Sequence, residues 1–255
     1  MKLNRILSSV ALSALLASPA AAQRQFDITT KPGAPVQSTM YGIFFEDINF
    51  GADGGLYAEM VENRSFEFPN RLMGWNVWGN VSVSSLKPAF DRNPNYVVLE
   101  PSGHREKSTG LENRGFFGMG LKKGMKYNFS VYGRLHLLNG KQAKIRVELV
   151  DENNNPMERK SITITNNQWK KYSVELTSKQ TLQKGYMRIF LEGNESVDLD
   201  HVSMFPADNW NGLRADLVKD LEDLHPGIFR FPGGCIVEGT DLQTRYQWKN
   251  SVRAP

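Results

Sequence analysis

The stretch Tyr127-Asn128-Phe129-Ser130-Val131-Tyr132 alternates apolar and polar side chains, the two-residue period of a strand with one face in a core. The same period recurs along the chain in both directions. It runs through Ile145, Val147 and Leu149, through Ile162 and Ile164, and through Tyr172, Val174 and Leu176. Met187, Ile189 and Leu191 continue it, followed by Val197 and Leu199. Turn residues separate these runs: Asn139-Gly140, Asn153 to Pro156, Asn166-Asn167 and Gly193-Asn194. Many short strands with polar turns predict a two-sheet jelly-roll sandwich over 73–206.

The flanks read differently. Tyr41 to Phe45 is a continuous apolar run, the pattern of a strand buried on both faces. Leu56, Tyr57, Met60 and Val61 fall at helical spacing and predict a helix over 55–64. Beyond the sandwich, Leu213, Leu217, Leu221 and Leu224 mark one face of a helix over 212–224, with Asn211 as its N-cap and His225-Pro226-Gly227 as its stop. Ile228 to Phe231 is then a short strand that runs into Pro232-Gly233-Gly234. The fold class is therefore mixed: the start of a (β/α)8 barrel, over 23–72, is interrupted by the sandwich and resumes over 207–255. In a parallel barrel the loops after the strands build the active site. The loops after Phe45 and Phe231 occupy that position.

The N-terminus has the three parts of a secretory signal: Lys2 and Arg5, an apolar run from Ile6 to Leu16, and Ala20-Ala21-Ala22 before Gln23. Residues 1–22 are predicted to be removed, giving a secreted or periplasmic product. The run is shorter than the roughly 20 apolar residues that span a bilayer, so no membrane association is expected after cleavage. Of 31 basic and 27 acidic residues, loss of Lys2 and Arg5 leaves 29 against 27. No basic run interleaved with aromatics is present, which excludes nucleic acid as an expected partner. A single cysteine, Cys235, gives no internal disulfide framework, and four scattered histidines give no four-ligand zinc site. Neither a cofactor nor a metal is expected.

Two segments carry candidate chemistry. In Phe44-Phe45-Glu46-Asp47-Ile48-Asn49, two carboxylates and an amide follow a strand, where they can accept hydrogen bonds from sugar hydroxyls in fixed directions. The same position also suits a solvated strand end with Asp47 capping a local turn. In Phe229-Arg230-Phe231-Pro232-Gly233-Gly234-Cys235, an Arg between aromatics needs a partner if buried, and the glycines let backbone approach a ligand.

These segments, with Gly54-Gly55-Leu56-Tyr57-Ala58-Glu59-Met60-Val61-Glu62-Asn63-Arg64-Ser65-Phe66-Glu67, resemble the N-terminal part of α-L-arabinofuranosidases of glycoside hydrolase family 51. The sandwich resembles a carbohydrate-binding module inserted in one branch of that family, through Gln168 to Tyr172 and Val197 to Val202. The resemblance implies a retaining hydrolase that releases terminal α-L-arabinofuranose from arabinan or arabinoxylan, with arabinose-containing polysaccharides or oligosaccharides as partners. It assigns Glu46 to sugar hydroxyls, Arg230 to support of the sugar subsite, and Cys235 to its lining rather than to attack. Asp47 and Asn49 complete the expected substrate-binding set. By the same resemblance, the strand near Phe26 belongs to a C-terminal β-domain.

A retaining enzyme needs an acid/base and a nucleophile about 5–5.5 Å apart. In the family both lie on later barrel strands, so no catalytic residue is assigned within this sequence and the pair is expected beyond Pro255. The flanks supply two barrel strands, whereas a complete barrel takes eight and about 250 residues. The sequence is thus read as an N-terminal portion, inactive by itself. Gly193-Asn194-Glu195 resembles the family's acid/base motif, but it precedes Arg230 and is read as a hairpin turn. The alternative function is a binding module without catalysis. For that, Trp75, Trp78, Tyr96, Phe116, Phe117 and Trp169 are candidate stacking rings, most of them expected in the core. A calcium site around Asp200 has no visible ligand cluster behind it.

Overall fold

The structure is a computed structural model that describes residues 28, 30–102, 108–136 and 142–247. The signal sequence, the strand near Phe26 and the Asn139-Gly140 turn lie outside the described residues. The backbone divides into two units, 1–40 and 41–255. Within the first, Ser38–Met40 forms a single 3-10 turn.

The second unit opens with β1, Ile43–Phe44. The sandwich strands follow: β2 Trp75–Trp78, β3 Asn80–Ser84, β4 Tyr96–Glu100, β5 Gly110–Asn113, β6 Met119–Leu121, β7 Lys126–Leu135, β8 Ala143–Val150, β9 Pro156–Ile164, β10 Lys170–Thr177, β11 Leu182–Glu192 and β12 Val197–Pro206. Helix α1, Ala215–Asp223, strand β13, Phe229–Arg230, and helix α2, Cys235–Glu238, complete it.

The alternation does what it predicts. Tyr127, Phe129, Val131 and Leu135 of β7 point inward, as do Ile145, Val147 and Leu149 of β8. One antiparallel sheet has the order β10-β7-β12-β4-β3, and the other β2-β5-β11-β8-β9 with β6 also on β11. Their inner faces share one core, which Val61, Phe66 and Trp75 also enter. The Asn153 to Pro156 turn joins β8 and β9 as a hairpin. Gly193-Asn194-Glu195 is not a hairpin. It links β11 to β12, which lie in different sheets, so the chain crosses the sandwich at this point.

Three local expectations are corrected. Residues 55–64 form no helix: an extended strap, 58–61, runs beside β12 between turns at 54–56 and 62–65. Ala58 and Met60 give their N–H groups to Gly212 and Met204 carbonyls, at 2.8 and 3.0 Å, instead of to a helical turn. The Glu59 carboxylate fixes the strap: it accepts from Ser203 Oγ at 2.6 Å, Met204 N at 2.9 Å and Val61 N at 3.0 Å. The helix predicted over 212–224 begins at Ala215, because Leu213 is taken by a turn with Trp210 and a bridge to Tyr57. Asn211 therefore does not cap it, and Arg214 stands at the N-cap without a side-chain capping bond. The apolar run from Tyr41 is not buried on both faces. Among the described residues β1 pairs in parallel with β13 alone, and Phe44, Ile228, Phe229 and Phe231 are exposed. Apolar character marked the strand but could not show how many neighbours cover it within the described residues.

Candidate functional site

The two motif segments, 188 residues apart in sequence, meet through β1 and β13. Ile43 aligns with Phe229 and Phe44 with Arg230. Ile43 N donates to Ile228 O at 2.9 Å and Phe45 N to Arg230 O at 3.0 Å. Gly42 lets the backbones close, since a Cβ there would overlap Ile228. Parallel pairing brings the C-terminal ends of both strands to the same side. There, Gly234 N donates to Glu46 Oε1 at 2.9 Å, tying the two loops together. Gly233 has φ +146, and a Cβ on it would stand 2.8 Å from Glu46 Cγ, so glycine is required for this contact.

Cys235, an exposed free thiol, follows Gly234 directly at the start of α2. Arg230 is exposed rather than buried, and its guanidinium lies over the Phe44 ring at 4.9 Å. Phe45 stacks on Phe231 at 6.2 Å. The structure thus brings Glu46, Arg230 and Cys235 onto one pair of strand ends. Asp47 makes a local bond: its Oδ1 accepts from Ala52 N at 3.0 Å, the kind of contact that the capping alternative describes. Asn49 is exposed in the left-handed region, φ 53, beside Phe50 at φ 62.

A second candidate surface was not read from the sequence. The outer face of the five-stranded sheet holds a groove of about 760 Å³, floored by β10, β7 and β12 and walled by the strap. Tyr57, Tyr132 and Phe205 supply rings, and Lys171, Ser173 and Ser203 supply polar groups. Tyr57 and Phe205 meet edge to face at 5.2 Å. At its edge, β12 bulges between Asp200 and Ser203, and His201 takes φ 45. His201 lines the groove but is buried, and its Nε2 has no hydrogen-bond partner among the described residues. Burial, then Arg64 and Lys171, depresses its pKa to about 4, so the imidazole is neutral. Asp200 is also buried rather than displayed as a cation ligand. Its Oδ1 accepts from His201 N at 2.6 Å, and burial lifts its pKa to about 8. The signal in the sequence was the shared face of Tyr132, Ser203 and Phe205, which only strand register reveals.

The candidate stacking rings separate cleanly. Trp75 and Tyr96 are core. Trp169 donates to Lys87 O at 3.0 Å and lies under Arg134 at 4.5 Å. Trp78 stacks on Phe190 at 5.9 Å. Phe116 packs on Phe50 at 5.1 Å, and Phe117 is 78% exposed.

Residues 58–197 are matched by a family described as a carbohydrate binding domain, and 220–255 by one described as an alpha-L-arabinofuranosidase 1 domain. The chain is similar to an extracellular exo-alpha-L-arabinofuranosidase of Streptomyces chartreusis, at 36% identity over 89% of this chain and 29% of that protein. It is also similar to alpha-L-arabinofuranosidase 1 of Arabidopsis thaliana, at 31% identity over 89% of this chain and 36% of the relative. The chain spans about a third of the length of these curated relatives. An arabinose-bound MgGH51 α-L-arabinofuranosidase aligns with TM-score 0.76 and 29% identity, over 88% of this chain and 39% of that one.

Proposed function

We propose, starting from the fact that this chain belongs to the carbohydrate binding domain family matched over residues 58–197, that it forms the sugar-binding sandwich and one wall of the arabinofuranose pocket of a non-reducing-end α-L-arabinofuranosidase. The observation that carries this reading is the 2.9 Å bond between Gly234 N and Glu46 Oε1. It joins the two motif loops into one surface although a whole sandwich separates them in sequence. On that wall Glu46 accepts from the sugar hydroxyls, Arg230 supports the subsite, and the Cys235 thiol lines it without attacking. Asp47 and Asn49 border it. The retaining pair comes from residues outside 1–255, so residues 23–255 alone turn over no aryl α-L-arabinofuranoside. Turnover abolished by Glu195→Gln would overturn this assignment.

A second activity, binding without cleavage, is favoured by the groove on the five-stranded sheet. Its rings can stack on sugar faces while its hydroxyls, amides and ammonium bond to sugar hydroxyls. The inserted body, 73–206, would act here while docked on the strap. Affinity electrophoresis in arabinoxylan and arabinan gels tests it: Ser173→Trp fills the groove and should reduce retardation. Retardation unchanged in that variant would remove the groove from the account. The export reading is part of the same proposal, and a mature N-terminus at Gln23, read by mass spectrometry, would support it.

A further inference from the structure

A second groove, of about 550 Å³, lies where the sandwich meets the strap and the segment leading into α1. We infer that this groove is a separate subsite for a neutral oligosaccharide, with Phe117 as its stacking platform. The inference rests on the carbohydrate-binding reading above but concerns a surface distinct from the sheet groove. Its volume falls in the range of small-ligand clefts, about 300–1,000 Å³.

Phe117 is the first ground. A ring 78% exposed gains nothing from the core, yet its loop is held rigid. Gly115 and Gly118 flank the pair Phe116-Phe117 at φ +66 and +97, and a Cβ on them would meet Met60 O at 2.9 Å and Lys184 Cα at 3.0 Å. The buried Asn113 anchors the base, accepting from Gly115 N at 2.9 Å and Glu62 N at 3.1 Å and donating to Glu62 O at 2.9 Å and Gly74 O at 3.1 Å. Phe116 is spent on packing against Phe50. Phe117 is therefore presented in a fixed position, which lowers the entropy cost of stacking on a ligand.

Charge is the second ground. The exposed charges that line the groove are Lys122 and Arg214 against Asp208 and Asp216; a third carboxylate, Glu59, is buried and already accepts from Ser203, Met204 and Val61. Arg214 and Asp216 already pair through two bonds, at 3.1 and 2.5 Å. A balanced set does not select an ion, but it offers donors and acceptors to hydroxyls. Gly120 leaves open space at the rim, since no atom lies within 4 Å of where its Cβ would stand. Position is the third ground. Phe50, which holds Phe116, directly continues the loop that carries Glu46 to Asn49.

Isothermal titration of the full chain with neutral arabinotriose and with trigalacturonate tests the inference, using wild type, Phe117→Ala, Phe117→Trp and Ser173→Trp. Phe117→Ala should weaken arabinotriose binding by about three- to tenfold, the scale of one stacked ring. Phe117→Trp should retain it, Ser173→Trp should leave this step intact, and trigalacturonate should bind more weakly. Binding that Ser173→Trp abolishes while Phe117→Ala leaves unchanged would overturn the subsite and leave the carbohydrate-binding reading standing. Preference for trigalacturonate would also overturn it. No binding by any form would overturn both.

Discussion

Replacing Asp200 by Asn should change the pH dependence of stability in a direction that follows from burial. The Asp200 side chain is fully buried, with Oδ1 bonded to His201 N and Oδ2 without a hydrogen-bond partner among the described residues. Burial first, and Glu67 secondarily, raises its pKa from 3.8 to about 8, against the opposing bond from His201 N and the charge of Arg64. The folded protein therefore holds a proton that the unfolded chain releases. Across that window stability falls as pH rises, by about 1.4 kcal/mol per pH unit for one such group. From pH 5 to 7 the loss attributable to Asp200 is about 3 kcal/mol. Asn cannot ionise, so Asp200→Asn removes that slope. It introduces a fixed cost of about 1–3 kcal/mol for its buried amide hydrogens. His201, with its pKa lowered to about 4, acts oppositely between pH 4 and 6.5, but it is present in both proteins and cancels in the difference. Urea unfolding followed by tryptophan fluorescence at pH 5, 6, 7 and 8 gives that difference directly. The variant should gain about 3 kcal/mol relative to wild type between pH 5 and 7. A difference that stays constant within about 0.5 kcal/mol would refute the buried, protonated Asp200.

Three further perturbations probe other contacts. Glu59→Ala leaves the Ser203 hydroxyl and the Met204 and Val61 amides without their acceptor, and should cost about 3 kcal/mol in urea unfolding; a loss below about 1 kcal/mol would mean that the strap is held elsewhere. Gly54→Ala places a methyl inside the Phe116 ring at φ +78 and should destabilise by about 1–3 kcal/mol, read as a lowered Tm; an unchanged Tm would show the Phe50–Phe116 contact to be dispensable. Gly233→Ala should separate Glu46 from Gly234, so amide exchange at Gly234 should quicken while β7 and β8 stay protected; unchanged exchange at Gly234 would contradict the wall geometry.

The sandwich was legible because its strands bury one face each, and that half-burial writes the two-residue period into Tyr127 to Val131 and Ile145 to Leu149. That the Glu46 and Pro232 to Gly234 loops belong to one side was expected from their places after two barrel strands; the glycines were read as room for a ligand, and the bond from Gly234 N to Glu46 was not read from them. Less could be read where tertiary partners displaced local preference. Leu56 to Val61 has helical spacing, but Glu59 finds Ser203 and Met204, so the segment stretches along β12. Gly193 to Glu195 has hairpin composition, but which sheet each flanking strand joins is decided by packing rather than by the turn. The sheet groove stayed hidden because Tyr132, Ser173 and Ser203 look like ordinary solvent positions until β10, β7 and β12 are set side by side. Tyr96 and Trp169 read as candidate platforms, yet core packing and the Arg134 stack consume them.

The central claim is that these residues form a sugar-binding sandwich joined to one wall of an arabinofuranose pocket. It is tested most directly by amide chemical-shift mapping of the chain with an arabinose-substituted xylo-oligosaccharide. The account predicts shifts at Tyr132, Ser173 and Ser203 and at Phe45, Glu46 and Gly234, apart from those at the Phe117 groove, with the Glu46 set lost in Glu46→Ala. Shifts absent from both sets at millimolar ligand would contradict it.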